Sequence, residues 1–246
     1  MVLHFPKYNK YKKIYELNEF NIFLGKNFLI TFRNFPGTKT STIFKNYKEL
    51  KIDKNSDFKI TSAFILYEIV QAMLEKIFKI HDNVMKDLKI IEKQVFENTS
   101  GTLVKDLMIK KRNIMVLKHM LAPQIPVMKR LEDNMNTLFS DEIEVYFEDL
   151  EDKISKVVTD VKVLEEYIDT IEDAFKAIID IQTNNVIRLL TIFSAFLLPL
   201  TLITSFYGMN ITLPYSDSPL FIYIILLFSV FVMFSIYYYL NRKGKL

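Results

Sequence analysis

The sequence predicts an α+β membrane protein with a short N-terminal strand region, a long helical stalk and two C-terminal transmembrane helices. Three observations carry this. Residues 189–206 follow Arg188 without a charged side chain, and residues 219–240 are again uncharged. Apolar runs of about 18–22 residues cross a hydrocarbon core of ~30 Å. Residues 141–206 hold no glycine and only Pro199 as a helix breaker, so one helix of roughly 100 Å is expected there at ~1.5 Å per residue. Residues 1–60, in contrast, alternate short apolar runs with turn residues.

The elements follow in order. Residues 21–24 and 28–32 flank Gly25-Lys26-Asn27, a hairpin signal, and Pro36-Gly37 marks a turn. The region 1–60 therefore reads as a cytosolic α/β region of strands and turns. Thr61 or Ser62 can cap a long helix over 63–98, which Thr99-Ser100-Gly101 breaks. A second helix over 103–134 holds Pro123 and Pro126, expected to kink or interrupt it. Residues 61–140 thus form an antiparallel helix pair. Ser140-Asp141-Glu142-Ile143-Glu144 supplies a cap and early acids for a third helix. That helix is a stalk over 141–187, continuous with a first span over 188–206. An external loop over 207–218, a second span over 219–240 and a basic cytosolic tail over 241–246 complete the chain.

Charge is unevenly spread. The formal net charge is +3, yet residues 1–60 carry 12 Lys/Arg against 5 Asp/Glu while residues 141–184 carry 4 against 14. The acidic segment lies directly before the first span and concentrates cations there. The lysines are dispersed and match no recognition motif, which speaks against a nucleic-acid partner. Cysteine is absent, so disulfides and thiolate metal sites are excluded. The N-terminus shows no apolar run of a secretory signal. Arg188 precedes the first span, Arg242, Lys243 and Lys245 follow the second, and the loop has no basic residue. The positive-inside rule then puts both termini in the cytoplasm of a multi-pass cell-membrane protein.

The third helix carries two stripes. Ile143, Phe147, Leu150, Ile154, Val157, Val161, Leu164, Ile168, Ile171, Phe175 and Ile178 recur at spacings of 4 and 3, a coiled-coil-like packing face. The second, offset by two residues, is Asp149, Asp152, Glu166, Thr170, Asp173, Ala177, Asp180, Asn184, Ile187, Thr191, Ser194, Leu198, Thr201 and Ser205. Its cytosolic part alone reads as a solvated face. Within the span, small polar residues on one face serve helix packing or line a water-filled path. One hairpin cannot enclose a path; several copies with their first spans around an axis can. Periodicity leaves both readings open. His4, His81 and His119 have neither metal-ligand nor triad spacing and read as surface or packing residues.

Between the spans stands Tyr207-Gly208-Met209-Asn210, with Pro199-Leu200-Thr201 shortly before it and Gln182-Thr183-Asn184 and Leu189-Leu190-Thr191 further upstream. With the basic end Arg242-Lys243-Gly244-Lys245-Leu246, this run resembles the two-span GxN group, the CorA magnesium transporters. A weaker likeness extends through Phe23-Leu24-Gly25-Lys26-Asn27-Phe28 and the helical middle, so the resemblance covers nearly the whole chain. It implies a homopentamer whose five first spans line a pore and continue as a cytosolic funnel. It places Asn184, Ile187, Leu190, Ser194, Leu198, Thr201 and Asn210 along the path, and Thr191 and Ser205 fall on the same stripe. Ile187, Leu190 and Leu198 look like hydrophobic constrictions, Asp173 like an acidic ring, and Asp149 like a ligand of regulatory metal between subunits. Apart from Leu190 and Asn210, the matched residues lie on the stripe found from spacing alone, which raises pore lining above packing.

The chain also departs from the family pattern. The usual His-Pro-Leu…Glu-Asp segment is not found, so the N-terminal region reads as reduced, starting inside the sheet. Asp149 is then expected to lack its usual partner, and closure by cytosolic Mg²⁺ to be weak or absent. The loop reads Leu213-Pro214-Tyr215-Ser216-Asp217 in place of the family's Met-Pro-Glu-Leu, with a single acid.

The chemistry expected is passive passage of hydrated Mg²⁺, the transported and possible regulatory ion. Magnesium dehydrates reluctantly, and neutral oxygens can bind its hydration shell from outside. The Asn210 amide oxygen suits that role, with Gly208 permitting unusual backbone angles and Met209 resembling the magnesium branch rather than the zinc branch. Gly-x-Asn also stops helices, which is the plainer reading of the tetrapeptide taken locally. No nucleotide motif and no catalytic constellation is present, so an enzyme is not expected. Two alternatives stand beside this reading: a two-span coiled-coil signalling protein, and the same fold carrying Co²⁺, Ni²⁺ or Zn²⁺.

Overall fold

A computed structural model describes residues 1–33, 38–49, 60–97, 101–139, 141–209 and 219–242. The expected turn at Pro36-Gly37, the Thr99-Ser100 break, the Ser140 cap, most of the external loop with Asn210, and the end of the basic tail lie outside these residues. The chain divides into two compact units, Met1–Phe175 and Lys176–Leu246, with one helix contributing to both.

The first unit opens with a three-stranded antiparallel sheet, β1 (Val2–Asn9), β2 (Ile14–Gly25) and β3 (Phe28–Arg33), in the order β1-β2-β3. The β2–β3 hairpin turns at the expected Gly25-Lys26-Asn27 signal, with Gly25 paired to Phe28. A Cβ on Gly25 would stand 2.3 Å from the Phe28 ring, so glycine is required there for the ring to cover the turn. The β1–β2 turn is closed by Asn9, whose Oδ1 accepts from the backbone N–H groups of Tyr11 and Lys12 at 3.0 and 3.1 Å, an Asx-type turn.

Behind the sheet stand α2 (Ser62–Glu97) and α3 (Gly101–Leu121), and α1 (Thr38–Glu49) packs on α2. Helix α1 was not expected within a strand-and-turn region. Apart from Lys39, its first residues, Thr38, Thr40, Ser41 and Thr42, are weak helix formers, and tertiary bonds to α2 support it. Tyr47 donates to Glu68 at 2.7 Å and Lys39 pairs with Glu75 at 3.2 Å. Helix α2 starts where the sequence expects: the Thr61 hydroxyl caps it by accepting from the Phe64 N–H at 3.1 Å. Ser62 turns instead to the hairpin and donates to the Gly25 carbonyl at 2.6 Å.

The expected 103–134 helix is three pieces. Pro123 converts one turn to a 3₁₀ turn at Ala122–Gln124, and Pro126 sits in the first turn of α4 (Ile125–Leu138), where a missing N–H costs little. Then α5 (Asp141–Tyr207) runs for 67 residues, and α6 (Pro219–Arg242) follows.

Contacts set the helix directions in the first unit. Residues Tyr67, Phe78 and Glu92 of α2 meet Asp149, Lys156 and Tyr167 of α5 in the same order, so α2 and α5 run parallel. Lys111 and Lys118 of α3 meet Glu172 and Glu165 in reverse order, so α3 is antiparallel to both. The apolar stripe of α5 from Ile143 to Ile171 is buried. It is consumed within the chain, against α2 and α3, rather than by a coiled coil between chains.

Two buried amides dock the sheet on α3 and on the 3₁₀ turn that follows it. Gln124 is 3% exposed. Its Nε2 donates to the His4 carbonyl at 2.7 Å and its Oε1 accepts from the His4 N–H at 3.1 Å, so one side chain acts as a neighbouring strand and closes the edge of β1. Asn113 does the same for the turn, donating to the Lys13 carbonyl at 2.9 Å and accepting from the Tyr15 N–H at 3.4 Å. Gln124→Ala leaves both His4 groups without these partners. We expect it to cost about 2 kcal/mol and to lower the melting temperature of the full chain, whereas an exposed control such as Lys93→Ala leaves it unchanged.

Candidate cation path along helix α5

A helix has 3.6 residues per turn, so a stripe offset by two residues lies nearly opposite its parent. In the first unit α2 and α3 cover the apolar stripe of α5, which leaves the second stripe outward except at Asp149, bonded to Tyr67 of α2. Asp152, Glu166, Thr170 and Asp173 are all exposed.

In the second unit α6 lies on one side of α5. Phe196 meets Phe234 edge-on at 5.7 Å and Tyr237 at 6.3 Å. The residues of α5 shielded here are Ile192, Phe196, Pro199, Leu200, Ile203 and Tyr207, one face at helical spacing. The sequence-predicted path residues lie on the other face. Asn184, Ile187, Thr191, Leu198, Thr201 and Ser205 are exposed, and only Ser194 is partly shielded. Leu190, one residue off the stripe, is 65% exposed and Leu198 is 68% exposed. Residues 181–191 are exposed on every side, so packing on α6 sorts the faces only from Ile192 onward, where it leaves Leu198, Thr201 and Ser205 uncovered. Among the described residues α5 is the one helix long and apolar enough to cross a membrane by length and composition.

The hydroxyls of this helix are oriented. Thr191 donates to the Ile187 carbonyl at 2.8 Å, Thr201 to Leu197 at 2.8 Å, and Thr204 to Leu200 at 3.0 Å. Each hydroxyl has one proton, and here it is spent inside the helix. What remains outward is oxygen lone pairs, so Thr191 and Thr201 present acceptors. Acceptors are what the hydrogens of a cation's bound water require.

At the end of α5 the Gly208 N–H donates to the Thr204 carbonyl at 2.9 Å and the Met209 N–H approaches the Phe206 carbonyl at 3.5 Å. Gly208 does not adopt the left-handed conformation that its glycine allows. Its missing side chain matters through space instead, since a Cβ would stand 3.0 Å from the Thr204 oxygen. Asn210 lies outside the described residues.

The acids of α5 fall into two groups. Glu165, Asp169 and Glu172 point toward α3, where Lys118 pairs with Glu165 at 2.6 Å and Lys111 with Asp169 and Glu172 at 2.9 and 2.5 Å. The two carboxylates hold the Lys111 ammonium well above its usual range. Among the described residues, Asp152 and Glu166, on the second stripe, form no ion pair. At the α4–α5 end Glu132 is pushed up, first by burial and then by Glu151, Glu148, Asp133 and Glu144.

Asp149 is engaged within its own chain, which spacing did not reveal. Its Oδ2 accepts from Lys153 at 2.5 Å and from the Tyr67 hydroxyl at 3.2 Å. Burial and the Asp149 charge push Tyr67 up to about 12, and the Tyr67 and Phe64 rings pack on Tyr146. No group of three or more metal-ligating side chains occurs among the described residues, so neither Asp149 nor Asp173 belongs to a same-chain metal cluster.

The family model of the CorA-like Mg²⁺ transporter protein matches residues 1–242. The cobalt/magnesium transport protein CorA of Thermotoga maritima is 24% identical over 211 residues, covering 85% of this chain and 59% of that protein. The chain thus spans about three fifths of the length of that relative. Among solved structures, the CorA magnesium transporter of Methanocaldococcus jannaschii aligns with a TM-score of 0.80 at 18% identity, covering 100% of this chain and 76% of that one. The full-length CmaX protein aligns at 0.73 and 16% identity, covering 94% of this chain and 72% of that one. These likenesses show a shared fold, with its small N-terminal sheet and long helix.

The Asp149 contacts yield a test. In Lys153→Met the carboxylate loses its resident cation, so added Mg²⁺ should raise the melting temperature more than in the wild type. The gain should vanish in Lys153→Met/Asp149→Asn. Equal Mg²⁺ responses in wild type and Lys153→Met would mean that the ammonium does not compete for the site.

Proposed function

Because the chain belongs to the family of CorA-like Mg²⁺ transporter proteins, we propose that it is a passive, membrane-potential-driven divalent-cation channel, chiefly for Mg²⁺. In this reading it assembles as a homopentamer in the cell membrane, with both termini cytoplasmic. The observation that carries the reading is the second stripe of α5. It is left outward opposite α2 and α3 in one unit and opposite α6 in the other. A single hairpin cannot surround an ion, so such a face is filled by copies arranged around an axis.

Each part of the path has a physical task. At the external end, five Asn210 amide oxygens, with Gly208 and Met209 shaping the turn, bind the hydrated ion without stripping its shell. Thr201, Ser205, Ser194 and Thr191 then offer neutral acceptors to the water of that shell. Leu198, Leu190 and Ile187 are bulky and apolar, and rings of such side chains close a pore by dewetting. Asn184, Asp180 and Asp173 follow, where carboxylates draw the ion toward the cytosol. The driving force on a divalent ion is ~4.6 kcal/mol per 100 mV. A regulatory ion at Asp149 has to displace Lys153 and supply a second chain's ligands.

The T. maritima relative is named for cobalt as well as magnesium, so Co²⁺ is the first alternative cargo. A signalling role leaves the acceptor stripe without a task, and ion flux into liposomes separates the two readings.

Asn210→Ala should reduce Mg²⁺ flux in proteoliposomes to the protein-free background while assembly is kept, because only neutral oxygens are removed. Normal flux from an assembled variant would sink the filter. Leu198→Ser should wet its ring and raise the resting leak. An unchanged leak would place Leu198 against lipid or a neighbouring helix.

A further inference from the structure

We propose that the outward face of α6 holds an anionic phospholipid at its cytosolic end, with Arg242 on the headgroup phosphate and Tyr238 in the layer beneath it. This rests on the membrane placement and orientation given above, not on the passage of ions. Leu220, Ile224, Leu227, Phe231, Ser235, Tyr238 and Arg242 recur at spacings of 4 and 3, which makes them one face of the helix. Met233 lies about two and a half turns before Arg242, so it occupies the opposite side, and it is buried. Leu220, Leu227, Phe231 and Tyr238 are two thirds or more exposed, at 70%, 75%, 66% and 67%, and Arg242 is exposed as well.

The face is graded along its length. It is apolar through Phe231, gains hydroxyls at Ser235 and Tyr238, and ends on the guanidinium of Arg242. From Leu220 to Tyr238 the helix rises about 27 Å, close to the ~30 Å of a hydrocarbon core. Arg242 stands ~6 Å further on, inside a headgroup layer of roughly 5–7 Å. Tyrosine settles at the membrane–water boundary, with its ring among the chains and its hydroxyl at headgroup level. The arginine fork matches two oxygens of one phosphate.

Charge selects the occupant. Among the described residues Arg242 forms no ion pair and no hydrogen bond. Helix α6 contains no acid, and the one acidic side chain of residues 181–246 is Asp217, which precedes the other end of α6. A second copy in the same orientation therefore brings no carboxylate of this unit to Arg242. Arg188 precedes the first span, and Lys243 and Lys245 follow the second, so the cytosolic side of the hairpin is positive throughout. A zwitterionic headgroup carries its own cation into that field, whereas an anionic one gains from it. The apolar row below Tyr238 suits acyl chains, which a soluble phosphate lacks.

The chain has no tryptophan, so Tyr238→Trp makes a single fluorescent reporter that keeps an interfacial aromatic. The full chain is reconstituted in mixed phosphatidylcholine and phosphatidylglycerol vesicles, with an equal amount of one lipid or the other brominated on its acyl chains. Quenching should show about a fivefold local preference for phosphatidylglycerol, falling toward none in Tyr238→Trp/Arg242→Gln. Leu220→Trp, at the other end of the same row, should show no preference. Inorganic phosphate at matched ionic strength should leave the preference at position 238 unchanged. Equal quenching by the two lipids, the same preference at Leu220→Trp, or a preference that survives Arg242→Gln overturns the proposal. So does a preference that inorganic phosphate abolishes, which would make the site one for a soluble anion. No quenching by either lipid at position 238 overturns the membrane placement as well, whereas equal quenching by both removes the lipid site alone. If the Arg242→Gln variant fails to fold, the comparison of positions 238 and 220 decides.

Discussion

The architecture depends on one constraint, the continuity of α5. A single helix of 67 residues must satisfy two helical partners in one unit and a different one in the other. Helical periodicity makes this a problem of sides. The stripe from Ile143 to Ile171 is taken by α2 and α3, and the face from Ile192 to Tyr207 is shielded beside α6. In each unit a further face of α5 is left on which, apart from the Tyr67–Asp149 bond, no described helix packs. Its composition changes along the sequence, from carboxylates to small polar residues interspersed with single bulky aliphatics. Each stretch is paired with the function proposed for it.

Electrostatics sharpens the division. Acids on the flank of α5 are neutralised by α3: Lys111 serves Asp169 and Glu172, and Lys118 serves Glu165. Surface pairs of this kind add little stability. Their larger effect is on the field, because they cancel charge beside α3 and leave Asp152 and Glu166 on the stripe as net negative sites. Fields from such sites are screened over ~8 Å at physiological salt. They act close to the helix and not on distant solution. Asp149 belongs to the stripe by spacing but not by charge, since Lys153 lies on it.

What was legible in the sequence is local or periodic. Gly25-Lys26-Asn27 marked the hairpin, Thr61 or Ser62 marked the start of α2, and unbroken spacing marked the apolar stripe of α5, with the second stripe read from its two-residue offset. Pro123 and Pro126 announced an interruption, although not that it would be a 3₁₀ turn. What was not legible depends on residues far apart in the chain. Gln124 reaches His4 and Asn113 reaches Lys13, and a lone amide in a helix gives no sign of such a partner. Helix α1 has weak propensity and stands on bonds to Glu68 and Glu75. The Lys153–Asp149 pair has the i,i+4 spacing of any helix, so spacing could have found it. The acid was read instead from the stripe it shares.

In the proposed channel the same distinction bears on how a neutral path can favour a cation. Carboxylates in the narrow part would bind Mg²⁺ tightly and release it slowly, whereas apolar walls alone would not admit it. Thr191 and Thr201 avoid both extremes because their protons are committed to Ile187 and Leu197. Hydroxyls free to rotate could turn donors toward the axis and accommodate an anion's shell as readily as a cation's. Fixed by the helix, they offer only oxygen. Selection then falls on the orientation of water in the hydration shell, which cations set with hydrogens outward. Sequence names the threonines, but only the direction of their hydrogen bonds gives the stripe a sign.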